Sequence, residues 1–90
     1  LTYSNEMSEQ ETEIGEVMTY YANIGVTAIE LTGSVKVGDI IIFRGFTTDL
    51  ELKVDGMQIE HESIQEAKAG DQIGVKVPGK VRKNDRVYKK

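Results

Sequence analysis

The chain contains no cysteine, one proline, one histidine and two phenylalanines in 90 residues. Without cysteine, neither a disulfide nor a thiolate nucleophile or thiolate-bound metal can support so small a chain, and a reducing cytoplasm suits it. No apolar run approaches the roughly 18 residues of a membrane span, and no basic-then-apolar leader opens the sequence. A soluble, untargeted, cytoplasmic protein with no membrane contact is expected.

The single histidine limits catalysis. His61 lies between Glu60 and Glu62, with no H-E-x-x-H spacing, whereas zinc usually takes three or four side-chain ligands. A Ser-His-Asp arrangement would have to recruit the same His61 with Ser34 or Ser63, and no nucleophile elbow is present. The stretch from Gly74 to Lys80 satisfies G-x-x-x-x-G-K, but Val81 follows where a phosphate loop needs Ser or Thr for Mg²⁺. It reads instead as a strand, a Pro78-Gly79 type II turn and a second strand. No metal, cofactor or nucleotide is expected, and the chain is expected not to be an enzyme.

What is present fits one small domain, with 39% hydrophobic and 29% charged residues. The opening LTYSNEMSEQET is polar and carries Glu6, Glu9 and Glu11 without apolar periodicity. Residues 1–12 are therefore expected to form a flexible acidic tail and residues 13–90 a single domain. The chain opens on Leu1; a fragment, a processed chain or an early-assigned start would each do that, and Met7 offers an alternative start.

Valine and isoleucine supply eighteen residues, and β-branched side chains suit a pleated surface better than a helix. Apolar runs bounded by turn residues fall near 14–21, 24–31, 39–44, 49–60, 72–77 and 85–89. Six short strands with close connections suggest a small barrel. Ser63 to Glu66 has capping-box spacing, but Gly70 follows closely, so at most a short helical turn is expected near 63–69. Asp55-Gly56 reads equally as a two-residue hairpin or as a bulge, because Leu50, Leu52 and Val54 share one parity while Met57 and Ile59 take the other.

A pattern of apolar, basic, any residue, Gly or Asn, then Asp occurs three times: VKVGD from Val35, AKAGD from Ala67 and VRKND from Val81. Gly or Asn supplies a positive φ, the Asp carboxylate accepts a backbone hydrogen bond, and a strand follows. Turn chemistry explains the repeat better than a metal or phosphate loop.

These residues resemble the second domain of translational GTPases. The resemblance rests on GEV at 15–17, GSVKVGDIIIFRG at 33–45, VDGMQIEHESIQEAKAGDQIGVKV at 54–77 and VRKNDRV at 81–87. Elongation factor Tu and bacterial-type initiation factor share that barrel, free-standing elongation-factor-like proteins consist of little else, and the C-terminal domain of a collagenase-type peptidase family is similar. Thr32 and Pro78 stand where family members often carry Arg. The resemblance implies an all-β, closed, approximately six-stranded Greek-key-like barrel, and it favours a bulge over a hairpin at Gly56. It also implies a binding module that contacts RNA or the ribosome, or else a protein partner such as a peptidase or a GTPase.

Charge is unevenly distributed. Residues 1–75 hold fourteen of the fifteen acids, whereas residues 76–90 hold seven of the eleven bases and Asp85 alone. The net charge of −4 argues against sequence-independent coating of nucleic acid. A local strip of Lys76, Lys80, Arg82, Lys83, Arg86 and Lys89, with Lys90, remains the candidate contact for nucleic acid or a partner; a solvated, aggregation-blocking edge is the alternative. Tyr20, Tyr21, Phe43, Phe46 and Tyr88 are candidate base-stacking aromatics, with Phe46 beside Gly45 foremost, unless they belong to the core or its rim.

Overall fold

The computed structural model describes residues 11–90, so most of the expected tail lies outside the described residues. Strands β1 (Thr12–Tyr21), β2 (Val26–Leu31), β3 (Val35–Lys36), β4 (Ile40–Arg44), β5 (Asp49–Lys53), β6 (Met57–Ile59), β7 (Glu62–Ile64), β8 (Glu66–Ala67), β9 (Gln72–Lys76) and β10 (Arg86–Lys89) follow in order. Thr12 is thus already in a strand, one residue before the expected boundary at 13.

Eight strands form one antiparallel sheet in the order β5-β4-β10-β1-β2-β9-β6-β7, and β3 pairs with β8. Alternation drives the folding of this sheet. In β2, Thr27, Ile29 and Leu31 point inward; in β9, Ile73 and Val75 do so. Ile29, Leu31, Ile73 and Val75 join Ile14, Val17, Phe43, Val54, Met57 and Val87 in one buried cluster. At roughly 1.5–3 kcal/mol per fully buried aliphatic or aromatic side chain, that cluster is the main stabilising term.

The all-β, barrel-type expectation holds, with two refinements. The hydrogen-bonded ladder does not close, since β5 and β7 are its two ends. Closure comes instead from the chain itself, which runs from β5 at one end of the order through Val54–Gly56 into β6 beside β9. Short strands account for the larger count: β3, β7 and β8 are two or three residues each, too brief to leave a periodic signal.

No hairpin forms at Asp55-Gly56, because β5 pairs with β4 whereas β6 pairs with β7 and β9. The parity slip is real nevertheless: Val54 and Met57 are both buried while Asp55 and Gly56 are exposed. One extra residue turns the chain's apolar side back inward as it changes partners.

No helix occurs among the described residues, and so none there is long and apolar enough to cross a membrane. Residues 63–69 carry β7 and β8 instead of a helical turn. The Gln65 carbonyl accepts the Val37 N–H at 2.9 Å, which commits that backbone to a neighbouring strand, and Ala67 enters the core. The Pro78-Gly79 turn is also corrected. A type II turn needs positive φ at its third residue, and Gly79 does not have it; no strand follows until Arg86.

Candidate functional site

The three Asp turns share one geometry. The carboxylate Oδ2 of Asp39, Asp71 and Asp85 accepts the N–H of Lys36, Lys68 and Arg82 at 3.0, 3.0 and 2.8 Å. Each Asp N–H in turn donates to the carbonyl of the same basic residue, at 3.0, 3.0 and 3.1 Å. Gly38, Gly70 and Asn84 take φ of 101°, 96° and 75°, a left-handed region that only Gly, and to a lesser degree Asn, occupies at low cost. The apolar residue that starts each turn, Val35, Ala67 or Val81, is buried, and the basic residue after it is exposed.

Two copies lie together. β3 of the first pairs with β8 of the second, Val35 opposite Ala67, and this pair covers one end of the barrel. The third copy lies at the other end of β4: Asp39 opens β4, whereas Asp85 packs against Gly45 just beyond it. That end is covered by a strap, residues 77–85. The Val77 N–H donates to the Gly25 carbonyl at 2.9 Å, Gly79 packs against Leu50, and the Asn84 N–H donates to the Val17 carbonyl at 2.8 Å. Val77, Val81 and Asp85 point inward, leaving Lys80, Arg82 and Lys83 exposed.

The six basic candidates therefore divide. Arg86 pairs with Glu13 at 2.7 Å and Lys89 with Asp39 at 3.9 Å; Lys90 pairs with Glu51 at 3.5 Å. Arg44, which the sequence did not single out, pairs with Glu11 and lies 5.8 Å from the Tyr88 ring centroid. The Glu11 carboxylate raises the Arg44 guanidinium above its ordinary pKa, and Glu13 does the same for Arg86, so both remain cationic. Among the described residues, Lys76, Lys80, Arg82 and Lys83 form no ion pair.

Those four belong to the strap or to the end of β9 that leads into it. Lys76 lines an open groove with Lys53 and Asp55, and Lys83 shares a hollow with Glu16 and Glu30. Lys80 and Arg82 line neither. The opposite end is mixed in sign, since Lys36 shares its hollow with Asp39 and Glu66, and Lys68 shares its own with Glu66 and Asp71. Four of the seven cations that form no ion pair among the described residues thus lie at the strap end, with acidic neighbours beside Lys76 and Lys83. Paired charges on antiparallel strands depend on register, which no local sequence signal reveals, so the neutralisation of Arg86 and Lys89 could not be foreseen.

The aromatic candidates divide as well. Phe43 is core, Tyr20 packs against the core, and Tyr88 is half-buried beside Arg44. Tyr21 and Ile24 are exposed at the β1–β2 turn, next to Gly25 on which the strap is pinned. Phe46 is as exposed as in an extended peptide, at 104%. It follows Gly45 at the strap end.

No family model matches the chain. An uncharacterized protease of Methanocaldococcus jannaschii is 41% identical over 85 residues, covering 93% of this chain and 21% of that protein. A collagenase of Porphyromonas gingivalis is 30% identical, covering 97% of this chain and 25% of its own length. Elongation factor 1-alpha of Pyrococcus horikoshii is 43% identical over 58 residues, covering 60% of this chain and 13% of the factor. The chain therefore spans a quarter or less of these relatives. Among solved structures, the C-terminal domain of a U32 peptidase from Geobacillus thermoleovorans superposes with a TM-score of 0.82 at 16% identity, covering 88% of this chain and 92% of that one. A bacterial selenocysteine-specific elongation factor superposes at 0.70 with 17% identity, covering 97% of this chain and 18% of the factor. These two share the fold. The expected resemblance to both translational GTPases and a collagenase-type peptidase domain is found.

Proposed function

We propose that this barrel is a non-catalytic binding module that contacts RNA through its strap end. The observation that carries the reading is the set of four cations, Lys76, Lys80, Arg82 and Lys83, that form no ion pair among the described residues and gather at one end of an otherwise acidic chain. Backbone phosphates are met by such clusters, and the release of counterions makes the contact salt-dependent. The likeness in fold to a translation factor supports a setting on RNA or the ribosome.

The test is a binding titration with an unstructured RNA at several salt concentrations, using the wild type and the triple variant Lys80→Ala, Arg82→Ala, Lys83→Ala. Each lost phosphate contact should flatten the log K against log salt slope by about 0.7 for a single strand, so the triple variant should lose about 2. Equal affinity and equal slope in the two proteins would sink the reading.

A second reading has its own support. In the protease and collagenase relatives the matching stretch is only 21% and 25% of the whole protein, as an accessory protein-binding domain would be. Affinity capture from native extract separates the two: nuclease treatment should remove the RNA reading's partners and leave the accessory domain's partner in place.

A further inference from the structure

Resting on the RNA reading, we infer that the strap end takes an unpaired nucleotide, with the Phe46 ring as the surface on which its base stacks. Phe46 and Thr47 are the middle two of the four residues that connect β4 to β5, closed by the Gly45 N–H donating to the Thr48 carbonyl at 2.9 Å. Both flanks are fixed. Thr48 is buried, and a Cβ on Gly45 would collide with the Asp85 carboxylate, so Gly45 lies directly against it.

That same carboxylate holds the strap, because its Oδ2 accepts the Arg82 N–H at 2.8 Å. Asp85 therefore joins the turn carrying Phe46 to the turn carrying Arg82 and Lys83. An aromatic ring at 104% exposure contributes no burial to folding. Held on a turn that Asp85 joins to the turn carrying two cations, it offers a flat apolar face near the strap end, and a stacking surface together with cations is the combination by which proteins bind single strands. A duplex keeps its bases stacked on one another and has no free face to give.

The experiment compares a fluorescein-labelled unstructured 12-nucleotide RNA with a blunt 12-base-pair RNA duplex at one salt concentration, for the wild type, F46A, F46W and the triple alanine variant of the strap. F46A should weaken single-strand binding about 5- to 100-fold and leave duplex binding unchanged. F46W should keep wild-type affinity. The chain has no tryptophan, so the fluorescence of F46W reports that position alone; single strand should quench it and duplex should not.

F46A binding single strand as well as wild type, while the triple variant loses it, would overturn the stacking and leave the RNA reading standing. F46A losing single strand and duplex equally would also overturn it. Wild type binding neither RNA would remove the RNA reading itself, and the stacking with it.

Discussion

Asp85 shows how one residue type does different work in the same local motif. Asp85 is only 5% exposed, whereas Asp39 and Asp71 are half-buried at the other end. A hydrogen bond to a charged acceptor is worth about 1.5–3 kcal/mol, and the one from the Arg82 N–H to Asp85 is partly buried. Asp85→Ala should therefore lower stability by that amount in urea unfolding, and Asp39→Ala or Asp71→Ala by less, about 1 kcal/mol. Asn84 tests the other half of the motif. With φ at 75° where the first two copies have Gly, Asn84→Ala should lower stability by about 1–2 kcal/mol, read as a fall of several degrees in Tm, whereas Asn84→Gly should change it little. At this scale the sequence was fully legible, because a φ > 0 position followed by a carboxylate needs no information beyond five consecutive residues.

At the scale of elements, the β6–β7 hairpin is the part least visible in the sequence. Ile59 pairs with Glu62, leaving Glu60 and His61 as a two-residue turn with φ of 51° and 70°. Such turns favour Asn-Gly, and Glu-His gives no sign of one. Tertiary pairing with β9 holds this hairpin in place against local preference. Glu60→Asn with His61→Gly should relieve that cost and raise stability by about 1 kcal/mol or more, measured by thermal denaturation. β10 illustrates the same gap for charge. Its four residues read as a basic edge, but β10 lies inside the sheet between β4 and β1, and Arg86 and Lys89 are matched by Glu13 and Asp39 from neighbouring strands. A free edge was the wrong environment to assign to them.

For the whole molecule, that central position of β10 makes the C-terminus part of the core. Val87 is fully buried and pairs with both Gly15 and Phe43. Ending the chain at Asp85 should leave β1 and β4 without a common neighbour, and circular dichroism should show an unfolded chain at room temperature. The strap contributes similarly. Val81 plugs the barrel end at 2% exposure, so Val81→Ala should cost about 2 kcal/mol from two lost methyl groups and the cavity they leave. If Val81→Ala keeps RNA affinity while stability falls, the strap's packing and its contacts are separable.

The sequence by itself determined the β class, five of the six main strand segments to within two residues, the three Asp turns and the uneven charge, because each depends on spacing within a short window; the sixth segment, 49–60, divides into β5 and β6. Only the tertiary structure decided which strands are neighbours, that the ladder stays open while the chain closes the barrel, and which cations meet carboxylates. Those outcomes join residues far apart in sequence, such as Arg86 with Glu13 and Gly45 with Asp85. They are set by the burial of the whole apolar face at once, so no short stretch contains them.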